Sequence, residues 1–203
     1  MFRRAPLRAA SWLAAALLVA APAAAQTAVG HPALDAGARA HVVDSAHSQI
    51  TFTARSRLRD AQGFFERWDA DVRLDPAAFE RSAVRITIDA ASINTRNDRR
   101  DRHLRSADFF DVANHPTITF VSRSVARTGP AAGVITGDLT LCGVTREIQV
   151  PVEVKFYENG RGRFAGAFTL RRRDYGVSYQ SRLNPIANDV AVQFNLSVAE
   201  QQE

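Results

Sequence analysis

The chain has 203 residues, with 26 Lys and Arg against 21 Asp and Glu and a single cysteine. That length holds one domain with a sizeable core, and one cysteine excludes an internal disulfide framework and any Cys-x-x-Cys metal or redox pair. The basic excess is mostly terminal: without Arg3, Arg4 and Arg8 the 26 basic residues fall to 23 against 21 acidic, too even a balance for a nucleic-acid footprint.

The first segment reads as an export leader. Arg3, Arg4 and Arg8 form a basic flank, residues 11–21 (SWLAAALLVAA) an apolar core, and Ala23-Ala24-Ala25 a small-residue cleavage pattern. Residues 1–25 are therefore expected to be a signal peptide cleaved after Ala25, with the mature chain in the periplasm. The apolar run is shorter than the roughly 20 residues a spanning helix needs. Residues 26–40 are rich in Ala and Gly without periodicity, and read as a flexible leader into one domain over 41–199.

From there apolar and polar residues alternate with period two. Runs at 49–55, 64–74, 84–89, 117–124, 134–141, 147–156, 164–170 and 190–198 make eight strands with one apolar face each. Short links such as Glu158-Asn159-Gly160 make the sheet antiparallel. The alternation turns Phe52, Phe64, Trp68, Phe120, Phe156, Phe168 and Phe194 inward and leaves sandwich and barrel both open; Cys142 reads as a buried thiol on a strand. Asp75-Pro76 starts a short helix over 75–81. A second helix is expected over 97–107, with Asp98/Arg102 and Asp101/Arg105 at the i,i+4 spacing. Only Leu104 and Ala107 give it an apolar stripe, so it should lie across one end of the sheet.

The segment 92–120 crowds together charged and apolar groups. Asp101, His103, Asp108 and His115 are the local residues able to serve a hydrolase-like or metal-dependent enzyme, but their spacing matches no zinc pattern, and no nucleophile elbow or phosphate loop is present. Arg96, Arg99, Arg100, Arg102 and Arg105 could meet a phosphate or an anionic membrane, or form a solvated helix face. A membrane-spanning barrel finds no aromatic girdles in support. A structural or interaction module with a side-chain-filled barrel is a further alternative.

The motifs themselves resemble a known family. Ser92-Ile93-x-Thr95, Arg100-Asp101-x-His103-Leu104-x-Ser106-x-Asp108-Phe109-Phe110-Asp111 and His115-Pro116-x-Ile118-x-Phe120 are similar to the YceI-like polyisoprenoid-binding family. So are Val43-Asp44-x-Ala46-His47-Ser48-x-Ile50-x-Phe52, Gly63-x-Phe65, Gly137-Asp138-Leu139-Thr140, Gly143-Val144-Thr145-Arg146 and Arg172-x-Asp174-Tyr175-Gly176. The likeness covers 41–198. It departs where many members carry a His and this chain has Arg55-Ser56, and where Ala70 replaces a common glycine.

The resemblance implies an all-β, eight-stranded, antiparallel lipocalin-like barrel with one or two short helices inserted between strands. It would bind or transport a polyisoprenoid or isoprenoid quinone without covalent chemistry, and need no cofactor or metal beyond that ligand. Channel-lining candidates are Phe52, Phe64, Trp68, Ile86, Ile88, Phe110, Phe120, Ile148, Val150, Val152, Phe168, Leu170 and Phe194. Head-group candidates are Arg100, His103 and Arg172. The expected partners are an amphiphilic isoprenoid lipid and, transiently, a membrane surface, with no nucleic acid; monomer and homodimer both stay open.

Overall fold

Each alternating run becomes a strand of one antiparallel sheet. The computed structural model describes residues 38–201; the signal peptide read over 1–25 and the leader up to residue 37 lie outside the described residues. In chain order the elements are β1 (Arg39–Val43), β2 (Gln49–Ser56), β3 (Ala61–Phe65), β4 (Trp68–Leu74), β5 (Ala83–Asp89) and β6 (Ile93–Asn94). They continue with helix α1 (Asp98–Arg105), β7 (Thr117–Gly129), β8 (Ala132–Leu141), β9 (Val144–Glu158), β10 (Arg161–Arg171) and β11 (Ile186–Glu200). β1 starts two residues inside the stretch read as leader.

Neighbouring strands run β1-β4-β5-β7-β8-β9-β10-β11, and β11 pairs back onto β1, so eight strands close into a barrel. Two pieces of chain share the β11 edge. β1 takes Val198, Ala199 and Glu200, while β2 pairs from Ile186 to Asn195 and carries β3 and β6 beyond it. β1 and β2 are thus one long strand interrupted by a turn, and β3 and β4 another.

Specific polar groups make these interruptions. Asp44 accepts from the Ala46 amide and caps the 3₁₀ turn Ser45–His47. The β3–β4 break is stitched to a buried serine: the Glu66 amide donates to the Ser92 carbonyl and the Arg67 amide to Ser92 Oγ, both at 3.1 Å. The backbone groups freed from the ladder are thereby satisfied.

The break corrects one face assignment. Phe65, not Phe64, shares the interior with Val72 and Leu74, because the turn at Glu66-Arg67 shifts the alternation by one residue. Trp68 lies opposite Ile88 and packs against the core without reaching the interior space. Phe156 is likewise not inward but 48% exposed. Register against β10 passes from Phe156↔Arg163 to Val154↔Phe164, which leaves Lys155 as the extra residue of a bulge and turns the following side chains over.

Left-handed residues close the tight turns. Asn159 (φ 50°) and Gly160 (φ 74°) join β9 to β10, and Cys142 (φ 50°) and Gly143 (φ 73°) join β8 to β9, the conformation a two-residue hairpin requires. Cys142 therefore sits at a turn and not on a strand. Burial, with Asp111 nearby, pushes its thiol pKa up, and Sγ lies 3.5 Å from the Phe109 carbonyl.

The short-helix start at Asp75 becomes an Asp-capped turn, whose carboxylate accepts from the Ala77 and Ala78 amides, followed by a 3₁₀ turn Phe79–Arg81. α1 lies within the range expected, capped by Asn97 accepting from the Arg100 amide. Its two expected charge pairs do not close. Asp101, 5% exposed, accepts from the Thr95 amide and hydroxyl, and Arg105 donates to the carbonyls of Ala91 and Ile93. The charges fasten the helix to the barrel end instead of to one another.

Candidate functional site

The inward faces do not meet in the middle. They enclose a cavity of ≈ 480 Å³ that runs the length of the barrel, bounded almost entirely by apolar side chains. The side-chain-filled barrel is thereby corrected: eight strands leave space for a ligand. All of the channel-lining candidates except Phe64 and Trp68 border it, as do Arg100, His103 and Arg172.

The far end is a floor. Val72, Val152, Phe164 and Val198 form a buried cluster there with Phe79 and Leu74 against it. Gly133 permits the close approach, since a Cβ at that position would stand 2.9 Å from the Phe79 ring. Outside this cluster His41, 4% exposed, bridges the Arg39 carbonyl and the Tyr157 hydroxyl at 2.8 Å each.

The other end is a mouth. The β2–β3 hairpin, α1 with Phe109-Phe110, and the loop 176–185 surround it. Ser56, Arg59, Ser181 and Asn184 line it together with the head-group candidates, so most of the polar lining gathers at this end, with Ser82 at the floor and Thr51 on the wall apart from it. Loop and hairpin are tied together: the Leu58 amide donates to Asn184 Oδ1 at 2.8 Å and the Arg57 amide to the Pro185 carbonyl at 3.1 Å. Across the opening, His103, Phe109 and Tyr179 make three mutual ring contacts with centroids 4.8–5.0 Å apart.

Of the three head-group candidates, two have their guanidinium groups engaged in structure. Arg172, 5% exposed, donates Nε to the Ala187 carbonyl at 2.9 Å, Nη1 to Val177 at 2.6 Å and Nη2 to Ile186 at 3.1 Å. Burial, with Arg173 beside it, pulls its pKa below the usual arginine value. Arg100 donates to the Thr95 hydroxyl at 2.7 Å and carbonyl at 2.8 Å. His103 meets Asp108 at 2.8 Å with its Nε2.

The enzyme alternative asked Asp101, His103, Asp108 and His115 to converge. They do not: Asp101 turns to Thr95, His103 and Asp108 pair half-exposed at the rim, and the ring of His115 lies over Gly143. No cluster of three potential metal ligands occurs among the described residues.

Sequence reasoning missed Arg59, Tyr179, Ser181 and Asn184 because they sit in turns, where no alternation marks a face. The Asn184-Pro185 dipeptide signals a turn but not that the turn borders a cavity. It also missed a split in the wall. β9 and β10 pair only from Ala165↔Glu153 to Arg161↔Glu158. Toward the mouth they separate around an open groove, and Arg146 Nε crosses it to the Asp174 carbonyl at 2.6 Å. Ile148 and Leu170 border both this groove and the cavity.

Residues 41–198 match the model of the YceI-like domain. The chain is 41% identical over 123 residues to a UPF0312 protein of Ectopseudomonas mendocina, covering 57% of this chain and 63% of that one. A UPF0312 protein of Vibrio cholerae is 34% identical over 152 residues, 70% of this chain and 79% of that one. The alignments span about three fifths of the length of the first of these curated relatives. Among solved structures, Burkholderia cenocepacia BcnA superposes with a TM-score of 0.72 at 27% identity, over 76% of this chain and 98% of its own. A polyisoprenoid binding domain from Saccharophagus degradans, implicated in plant cell wall breakdown, has the same fold, with a TM-score of 0.63 at 17% identity over 80% of this chain and 99% of that one. Barrel, inserted helix and motif order agree with these matches: the chain belongs to the YceI-like domain family.

Proposed function

We propose that this protein is a carrier for a lipid with one long isoprenoid tail, a polyprenyl lipid or an isoprenoid quinone, which it holds without covalent chemistry. The observation that carries the reading is the shape and polarity of the cavity: long, apolar along most of its wall, with most of its polar side chains at one end. Burying each CH₂ of a tail is worth about 0.8 kcal/mol, so affinity comes from the strands and the mouth only has to orient a small polar head. The name of the Saccharophagus degradans domain points to the same ligand class. Because two of the three cationic candidates are engaged by backbone and Thr95, and the Asn184 amide by Leu58 and Ser56, the head-group contacts fall to His103 with Arg59, Tyr179 and Ser181 of the same lining. The leader over 1–25 supports work in the periplasm, between two membranes.

Organic extraction and mass spectrometry of protein purified from its native host should yield a prenyl-chain lipid. Phe168→Asp, which puts a carboxylate into the apolar wall, should abolish its recovery, while His103→Ala should retain most of it. An empty wild-type protein defeats the carrier reading, and a turnover lost in a folded His103→Ala variant replaces it with the enzyme.

A further inference from the structure

Leu58 and Leu183 are the most exposed large apolar residues of the described chain, 73% and 83% exposed. One exposed leucine needs no explanation. These two stand on the hairpin and the loop that the Leu58 amide joins to Asn184, the residue after Leu183. They are neighbours on one rim, and that rim is the mouth of the cavity.

The charges around them form a basic cluster. Arg55, Arg57, Arg59 and Arg182 are exposed, and among the described residues none of the four is in an ion pair. Several other exposed cations do meet carboxylates: Arg39 and Glu200 at 2.9 Å, Arg67 and Asp89 at 2.7 Å, Arg123 and Asp138 at 2.7 Å, Lys155 and Glu153 at 2.6 Å. The one acid on the hairpin, Asp60, accepts from the Ser56 amide and shapes the turn.

We infer that this rim docks on an anionic phospholipid surface, the leucines entering the interface and the four arginines meeting lipid phosphates. The inference rests on the carrier reading, which requires a ligand nearly insoluble in water to reach the mouth; a mouth seated on the bilayer gives it a path that avoids water. An arginine facing an anionic surface is worth about fivefold in partitioning, and a leucine side chain taken fully from water about tenfold or more. The arginines of α1, the candidates from sequence, lack a neighbouring exposed apolar residue and are not needed.

The protein, in the form in which it accumulates after expression, is sedimented with vesicles of phosphatidylcholine alone or with a minority of phosphatidylglycerol. Binding is expected with the anionic vesicles only, and raised salt should release it. Leu58→Asp with Leu183→Asp, and separately Arg57→Gln with Arg59→Gln and Arg182→Gln, should each weaken it by about tenfold or more, whereas Arg99→Gln with Arg102→Gln should leave it unchanged. As a check independent of folding losses, Leu58→Trp and Leu183→Trp should each show a blue-shifted emission when anionic vesicles are added. Failure to bind, equal binding by the rim variants, loss through the α1 variants alone, or no shift in either tryptophan variant overturns the inference. Extracting lipid from the unsubstituted protein separates the two readings: ligand present without vesicle binding leaves the carrier and removes the dock, and vesicle binding by a protein empty of lipid does the reverse.

Discussion

At the far end of the barrel, strand ladders and apolar side chains close the wall. β1 pairs on both edges, β9 and β10 pair across the bulge at Lys155, and Val72, Val152, Phe164 and Val198 fill the space beneath Phe79. At the mouth the same sheet comes apart: β9 leaves β10, and loops replace strands. Polar side chains reaching backbone carbonyls hold that end, with Arg172 gripping Val177, Ile186 and Ala187, Arg105 gripping Ala91 and Ile93, and Arg146 crossing to Asp174. A floor of packed side chains resists opening because every atom moved leaves a void. A mouth held by a few charge-assisted hydrogen bonds can open locally while the ladder stays intact. Dense packing and hydrogen-bonded loops thus lie at opposite ends of the barrel.

That contrast can be broken from either side. The largest effect is expected at Arg172. Arg172→Ala leaves three carbonyls without their charged donor, and hydrogen bonds of this kind are worth about 1.5–3 kcal/mol each. A loss of about 4 kcal/mol in urea unfolding is expected, with the mouth loop exchanging its amide hydrogens first. If the loop keeps its protection, something other than the guanidinium holds the mouth.

At the floor, Phe164→Ala should cost about 3 kcal/mol by truncating a packed aromatic. It should act on global unfolding and leave the rate of lipid release unchanged, whereas faster release would mean that the floor also gates. Both ends meet sequence-level reasoning differently here. The strand that carries Phe164 reads from alternation, and α1 from the i,i+4 spacing of its charges. The role of Arg172 does not read this way, because a guanidinium saturated by three carbonyls looks in sequence like any other basic residue near a site.

The smallest effect concerns the seat of α1. Asp89 accepts from the Ala91 amide and pairs with Arg67 at 2.7 Å, beside the Ala91 carbonyl that Arg105 holds. Hydrogen bonding from Arg67, opposed by partial burial, keeps its carboxyl below the ordinary 3.8. The pair is well exposed and screened, and Asn keeps an oxygen to accept from the Ala91 amide, so Asp89→Asn removes only the charge and should cost about 0.5 kcal/mol or less at neutral pH. A depressed folded pKa contributes stability that is complete above pH 3.8 and lost as pH falls through the lower folded value. The melting temperatures of variant and wild type should therefore converge in that acid range; a gap that persists there would assign the loss to packing.

The sequence by itself determined the strand number, the antiparallel order of links, the inserted helix and nearly all of the apolar wall, since each rests on local periodicity that the pleat converts directly into one face. It did not determine which of Phe64 and Phe65 turns inward or that Phe156 turns out. A two-residue turn at Glu66-Arg67 and a bulge at Lys155 reset the phase, and both depend on partners distant in the chain. The cavity itself, the divergence of β9 from β10 and the meeting of Leu58 with Leu183 belong to tertiary structure for the same reason. Each arises where separate segments are brought edge to edge by closure of the barrel, and no window of sequence contains both sides.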